Sequence, residues 1–518
     1  MKSRTLTCIT AMTLFAALAV PVGLAAEDNA HNKHHHYKLV DLSTFGGPQS
    51  YVNQPGWYAQ VLNDRGTVAG WADTSTPDPY YPNFCFNSDC FISHAFQWQD
   101  GDLTDLGVLP SGASSASNSI STNGLIAGVS QNGQTDPLVS GFPEFRAVLW
   151  RNDSITDLGT SEGGYESVAN AVNSDGVVVG LFTNTTPDPN SIFGLGYQTR
   201  AFRWDEKNGM QDLGTLGTGT DAEALLVNRR GEIAGVSYTN STASAYCKNA
   251  LGLSFTTGAF LWNNGTLRDL GNFGGTCTVP TFLSDQGQVL GISTLPLDTA
   301  QHSFLWPGKN GIIEDLGTLG GTTSEAAPFG INHGGEIVGS SNLKGDAAEH
   351  AFLWKNGKIR DLGTVDGDQC SEGYGINSKG QVVGTSFGTC FTAPRAFLWE
   401  KGGPMVDLNT LIPPGSDLHL EFPVTINDRG EIAGNGSDSN GNEHAFLLIP
   451  CDENHPDVDG CDYTLVDASA TAADRPTPTQ RPTTANPWVG GTANPMLRSF
   501  GRRSMPWYRN LGVQPPPK

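Results

Sequence analysis

The sequence predicts an all-β protein, an eight-bladed β-propeller with four strands per blade. Three observations carry that prediction. One set of motifs recurs at intervals of about fifty residues between 37 and 450. Glycine accounts for 64 of the 518 residues and proline for 31, while only 16% are charged, a composition that suits short strands and tight turns rather than helices. The recurring set is also cut in two at the chain ends, each end supplying the part that the other lacks.

The clearest copy reads His350-Ala351-Phe352-Leu353-Trp354, then Asn356-Gly357, then Arg360-Asp361-Leu362-Gly363. After a spacer come Tyr374-Gly375-Ile376-Asn377, the turn Ser378-Lys379-Gly380, and Gln381-Val382-Val383-Gly384. The first element starts at His94, Arg146, Arg200, Gly258, His302, His350, Arg395 and His444, with spacings of 52, 54, 58, 44, 48, 45 and 49 residues. Such a period fits a four-stranded blade and is too long for one coil of a β-helix.

Each element has a physical reading. His-Ala-Phe-Leu-Trp is an apolar, aromatic run of strand composition. Asn-Gly, as at Asn264-Gly265 and Asn356-Gly357, suits the positive φ angles of a tight hairpin turn, after which the Asp-Leu-Gly strand pairs back. A second hairpin turns at a signal ending in glycine, with Asn63, Ser121, Asn173, Asn228, Ser284, Asn332, Asn377 or Asn427 three positions before it. Asn and Ser side chains can hold the backbone two residues on, so this is turn chemistry, and each unit has four strands.

The blade number follows from independent counts. The Asp-Leu element occurs at Asp41, Asp105, Asp157, Asp212, Asp269, Asp315, Asp361 and Asp407, and the other two elements also occur eight times. The array begins with an orphan Asp-Leu strand at about 37–43 and ends with an orphan His-Ala-Phe strand at about 444–449. Pairing the two closes the ring and leaves no unpaired terminal edge.

This set of motifs resembles the HAF-repeat family of bacterial proteins, described as probable extracellular repeats. The resemblance spans about 37–450, nearly the whole chain after the leader. It implies export and carries no activity or ligand with it. Some copies depart from the pattern: Val148 stands in place of the phenylalanine, Leu448 in place of the tryptophan, and Gly258 in place of the leading His or Arg.

Export is also expected from the residues themselves. Residues 1–26 read as a signal peptide, with Lys2 and Arg4 before an apolar run from Ala11 to Val20 and a small-residue cleavage site at Ala25 and Ala26. The expected compartment is the periplasm or the exterior, without a membrane span. Eight cysteines remain beyond Cys8, namely Cys85, Cys90, Cys247, Cys277, Cys370, Cys390, Cys451 and Cys461. An even count in an exported chain favours disulfides, plausibly between sequence neighbours, and no pair has metal-knuckle spacing. The formal charge of −22 argues against nucleic acid as a partner.

In a four-stranded blade the first and third connections share one face; the second connection and the link to the next blade share the other. The tight turns therefore lie together. The variable connections 73–93, 130–145, 183–199, 238–257, 341–349 and 386–394 lie on the opposite rim, with six of the cysteines. Long loops on a rigid scaffold are the usual place for binding residues. Tyr80, Tyr81, Phe84, Phe86, Phe193 and Tyr197 are the candidates there for stacking on a glycan or peptide, with packing beneath their own loops as the alternative.

No catalytic constellation, cofactor motif or metal site emerges. The repeated aspartates and their His or Arg partners are placed by the repeat and are expected to tie strands together, whereas catalysis needs unlike residues converging at one point. The tryptophans Trp98, Trp150, Trp204, Trp262, Trp306, Trp354 and Trp399 are expected between blades. His31, His34, His35 and His36 could hold a metal but read as a flexible, solvated terminus over 27–36. Asp438 and Asn440 echo a calcium loop without its other ligands. Residues 451–467 read as a disulfide-bearing loop. The tail 468–518 reads as disordered, rich in Pro and Thr and bearing Arg498, Arg502, Arg503, Arg509 and Lys518, a composition that could touch an anionic envelope. The expected function is a binding or structural module for a carbohydrate or protein, more in keeping with a non-enzyme. The alternative is a secreted polysaccharide hydrolase or lyase using loop carboxylates.

Overall fold

The computed structural model describes residues 33–467 apart from 54–59, 82–83, 88, 153, 310 and 401. They form eight four-stranded antiparallel sheets arranged as the blades of a closed β-propeller. Naming the strands of each blade A to D, blade 1 comprises Gly46–Tyr51, Val68–Pro77, Phe91–Gln99 and Asp102–Asp105. Blade 2 comprises Ser115–Ile120, Ile126–Thr135, Pro143–Arg151 and Ser154–Asp157, and the pattern repeats through blade 7, which ends at Val406–Asp407.

Blade 8 closes the ring. Its strands A to C are His419–Ile426, Ile432–Ser437 and Glu443–Pro450, and its strand D is Tyr37–Asp41 from the other end of the chain. Leu39 pairs with Leu448 and Asp41 with Phe446, antiparallel. The A strands line the axis; those of blades 6 and 7 meet in a parallel bridge at Phe329 and Gly375.

The repeated residues now have mechanical roles. In every blade but the second, the glycine of strand B sits directly opposite the repeated phenylalanine, as Gly70 does opposite Phe96 and Gly384 opposite Phe397; in blade 2 Gly128 faces Val148. A Cβ on Gly70 would lie 2.6 Å from the Phe96 ring, so glycine makes the space that the phenyl fills. Trp98, Trp150, Trp306, Trp354 and Trp399 are buried between blades, as in the cluster that joins Trp150 and Val148 to Ala69, Ala95 and Ile126.

At the A–B turn, Asn63 Oδ1 accepts the backbone N–H of Arg65 and Thr67 at 3.0 and 3.1 Å, which fixes the turn. Its Nδ2 donates to the carbonyl of Ser121 in the next blade at 3.3 Å. The same bridge runs from Asn173 to Asn228, Asn228 to Ser284, Asn332 to Asn377, Asn377 to Asn427, and Asn427 back to Asn63, at 3.0–3.1 Å. Serine, which has no amide to donate, stands at the start of the two remaining junctions, at Ser121 and Ser284. One of these is bridged instead by Asn123 Nδ2 to the Ser174 carbonyl at 2.9 Å.

The expected flexible terminus is corrected over its described part. Lys33–His35 is a strand paired with Leu465–Asp467, which makes a second clasp outside the ring closure. His34 is fully buried, with Nδ1 3.0 Å from Glu400, and His35 Nδ1 reaches the Cys451 carbonyl at 3.1 Å. Burial against a carboxylate overrides the solvation that a run of histidines suggests. The signal peptide, His31 and the tail 468–518 lie outside the described residues.

Candidate functional site: the loop face

The C strand of every blade but the fourth carries a His or Arg that meets the aspartate of strand D. His94 lies 2.8 Å from Asp105, Arg200 2.8 Å from Asp212, His350 2.9 Å from Asp361 and His444 3.0 Å from Asp41. The same aspartates accept a backbone N–H two residues on, as Asp105 does from Gly107 at 2.7 Å. Although half-burial works the other way, these hydrogen bonds hold the Asp41, Asp105, Asp315 and Asp361 carboxyls below the usual carboxylate range. They are structural ties at the outer edge of each blade, spread around the ring.

The B–C connections gather on the opposite face to the turns, as do the disulfides Cys85–Cys90, Cys247–Cys277 and Cys370–Cys390. Cys451–Cys461 braces the segment that follows the ring. A closed loop of 30 residues, as between Cys247 and Cys277, stabilises by about 3–4 kcal/mol in the chain-entropy account. The connections are shorter than expected because the B and C strands continue past bulges, Thr135 pairing with Pro143 and Pro187 with Tyr197. The blade 4 connection instead holds a helix, Ala245–Leu251, capped by Ser244 Oγ on the Cys247 N–H and ended by Gly252 at φ +73°.

Blades 1, 2 and 3 share one loop design. Asp78, Asp136 and Asp188 each precede a proline, and their N–H groups bond the carbonyls of Cys90, Phe142 and Gly196 at 2.8 Å to close the loop. Each carboxylate accepts the N–H two residues on, from Tyr80, Leu138 and Asn190. Their aromatic residues converge: Phe84 packs edge-on against Phe142 at 5.3 Å and Phe145 at 5.8 Å, and Phe86 meets Phe145 at 5.8 Å. Phe193 and Leu195 belong to the same buried cluster.

That layer corrects half of the aromatic candidates. Phe84, Phe86 and Phe193 are buried in it, because the loops fold over their own rings, and they offer no face to a ligand. Tyr80 and Tyr197 are half-buried, and Tyr81 is 67% exposed. Leu138 of blade 2 and Leu297 of blade 5 are also exposed on this face, and Leu297 takes a φ of +61°, unusual for a residue with a branched side chain.

Buried carboxylates pin these loops from beneath. Glu166 accepts the Phe145 N–H at 2.6 Å. Asp221 accepts those of Ile192 and Thr199 at 3.0 and 2.8 Å. Asp73 holds Ser93 Oγ at 2.7 Å and the Gln49 N–H at 3.2 Å. Burial pushes all three carboxyls up, and Asp89 beside Asp73, Asp136 near Glu166 and Asp188 near Asp221 add to the effect.

Further carboxylates stand on A strands and at the start of C strands. Glu223, hydrogen-bonded by Asn170 Nδ2 at 2.9 Å, is pushed up to about 7 by burial. Burial and the neighbouring Glu372 raise the Glu349 carboxyl likewise. Among the described residues no group of three or more His, Cys, Asp or Glu is placed to hold a metal ion. The Asp438 carboxylate is occupied by the N–H and amide groups of Asn440 and Asn442. No helix of the described residues is long and apolar enough to cross a membrane.

No protein-family model and no characterised protein sequence matches the chain. Among solved structures it is similar to the β-propeller domain of the Trilobed protease from Pyrococcus furiosus, at 11% identity over 70% of this chain and 98% of that one, with a TM-score of 0.40. A prolyl endopeptidase matches at 11% identity over 79% of this chain and 57% of its own, with a TM-score of 0.44. Dipeptidyl peptidase 4 of Porphyromonas gingivalis matches at 8% identity over 74% and 56%, also at 0.44.

Proposed function

We propose that the protein is an exported binding or structural module that engages a carbohydrate or protein ligand through its loop face. The observation that carries this reading is the contrast between the two faces. The turn face is made uniform by the repeat and bridged from blade to blade by asparagines. The loop face differs from blade to blade and is braced by three disulfides. Rigid, individual loops on a stable scaffold are what recognition requires. Disulfides persist in oxidising compartments, which supports a periplasmic or extracellular location, as does the likeness of the repeat to the HAF family. A glycan and peptide array probed with the mature chain tests the reading. Replacing 78–90 and 244–254 by short turns should abolish the signal while the ring still melts cooperatively; an unchanged signal rejects the loop face.

A second reading, hydrolysis or lysis of a polysaccharide, is supported by the neighbouring carboxyls Glu349 and Glu372, where burial and then the Glu372 charge push the Glu349 carboxyl up, toward the protonated form that a general acid needs. Glycan turnover lost in Glu349→Gln, with the fold intact, would favour it.

A further inference from the structure

We propose a second binding site, on the turn face at the ring seam, for a small organic carboxylate. It is independent of the loop-face reading. Between blade 8 and blade 1 lies a cavity of 610 Å³, within the usual range for ligand pockets of about 300–1,000 Å³. Its apolar wall comes from Leu39 and Ile449 of the closing strand pair and from Trp98 and Leu103 of the outer hairpin of blade 1. Pro456 and Val458, inside the Cys451–Cys461 disulfide loop, cover it.

The space has a specific origin. At three other junctions an arginine of one blade lies over the C-strand tryptophan of the next: Arg203 over Trp262 at 5.9 Å, Arg268 over Trp306 at 5.1 Å and Arg360 over Trp399 at 5.4 Å. Arg268 and Arg360 each directly precede the strand-D aspartate. At the seam that position, before Asp41, is Val40, and the tryptophan of the next blade is Trp98. Val40 packs in the cluster that contains Trp98 but is several atoms shorter than the arginine at those two junctions.

The charges decide what would enter. Asp41 is held by His444 at 3.0 Å and by the Ser43 N–H at 2.8 Å. Glu431 is engaged by Asn427 at 2.6 Å, Arg429 at 3.2 Å and His455 at 3.5 Å. Asp100 is exposed at a turn and accepts from Gln99 at 3.3 Å. Lys38 and Arg65 also line the cavity, and among the described residues neither has a carboxylate within 4.0 Å. In a chain of net charge −22, two cations without an ion pair, set against the single unpaired and exposed carboxylate of Asp100 and beside an apolar wall, favour an anion with a hydrophobic face. The planar fork of arginine fits a carboxylate in bidentate fashion. The ligand class is therefore a carboxylate carried on one or two rings, whether sugar or aromatic.

Titration calorimetry of the mature chain with digalacturonate, phenylacetate, neutral galactobiose and inorganic phosphate tests this and separates sugar from aromatic acids. At least one of the two carboxylates should bind, more weakly as salt is raised, and galactobiose should not. Arg65→Ala and Lys38→Ala should each weaken binding about tenfold or more, and Val40→Arg, which restores the filling residue, should abolish it. Arg229→Ala, in the A–B turn of blade 4 away from the seam, should change nothing. The proposal is overturned if neither carboxylate outbinds galactobiose, if phosphate binds as tightly as both, or if binding survives in the Lys38→Ala, Arg65→Ala double variant. That last variant also decides the matter should Val40→Arg fail to fold. Loop-face replacements leave this seam untouched, so the two proposals fail separately.

Discussion

Blades 1 to 3 and blades 6 to 8 follow one repeat and meet solvent differently on the loop face. In the first arc the connections carry Asp-Pro turns and interlock through Phe84, Phe142 and Phe145, with Glu166 and Asp221 fastening their backbones from below. In the second arc the strands are joined by brief turns: Thr389 pairs with Thr392 across two residues, and Ser437 with Glu443 across five. The repeat thus specifies sheets, strand pairing and blade junctions, where neighbouring units must fit. It leaves the B–C connections free, because nothing in the ring geometry constrains them, and there the blades acquire separate characters. The first arc buries an aromatic layer there that the second arc lacks.

The comparison can be broken most forcefully at Phe145. Phe145→Ala should destabilise by about 3–5 kcal/mol in denaturant unfolding, because the cavity would open in an interlocked layer. The half-buried Phe391, in the B–C turn of blade 7 in the second arc, should cost only about 1 kcal/mol when truncated. Equal losses would mean that the aromatic layer adds nothing of its own.

Acidity should test the carboxylates beneath the first arc next. Asp73, Glu166 and Asp221 have folded-state pKa values above their unfolded ones, so the native state binds extra protons between those values, and stability falls as pH rises through that window. The strand-D aspartates act oppositely: their pKa values are lowered, and their contribution is present above about pH 4 and is lost below it. The melting temperature should therefore fall from pH 5 to pH 8. In Glu166→Gln that fall should be shallower, since the amide keeps an acceptor for the Phe145 N–H and has no proton to lose. A profile that the substitution leaves unchanged contradicts the assignment.

Smaller effects concern the turn face. Asn228→Ala removes one interblade hydrogen bond and two turn bonds and should cost about 1–2 kcal/mol. Ser284→Asn supplies the missing donor toward blade 6 and should gain up to about 1 kcal/mol. The smallest change is expected for Tyr81→Ala, within about 0.5 kcal/mol, as befits a ring that is mostly exposed. Its effect on ligand capture is what the loop-face proposal predicts.

The architecture was legible because every blade restates it. The orphan strands at 37–43 and 444–449, the Asn-Gly hairpins and the His or Arg to Asp ties each carry a local signal, and the structure joins them accordingly. The same local reading missed whatever depends on distant partners. Nothing near Asn63 in the sequence tells that its amide reaches Ser121, or near His34 that Glu400 waits 366 residues away. Phe84, Phe86 and Phe193 were misjudged for the same reason: an exposed Tyr81 and a buried Phe84 share one loop and one composition. The short helix was within reach, since Ser244 and Gly252 bracket Ala245–Leu251 as a cap and a stop. Gly258, which breaks the tie, sits where a Cβ would lie 2.9 Å from Leu216 and 3.0 Å from Thr239, a crowding that only coordinates reveal.

Blade 8 draws its strands from opposite ends of the polypeptide, and this orders events in time. Asp41 is made early, and its partner Phe446 emerges some four hundred residues later, roughly 20–80 s at ordinary rates of synthesis. Through that interval the first strand has no sheet to join, and the earlier blades must assemble without the constraint of closure. The circle becomes complete only when the chain is nearly finished. Until then the waiting strand at 37–41 can pair with the blade 8 edge of another, finished copy as readily as with its own, so crowding of chains favours exchanged dimers over closed rings.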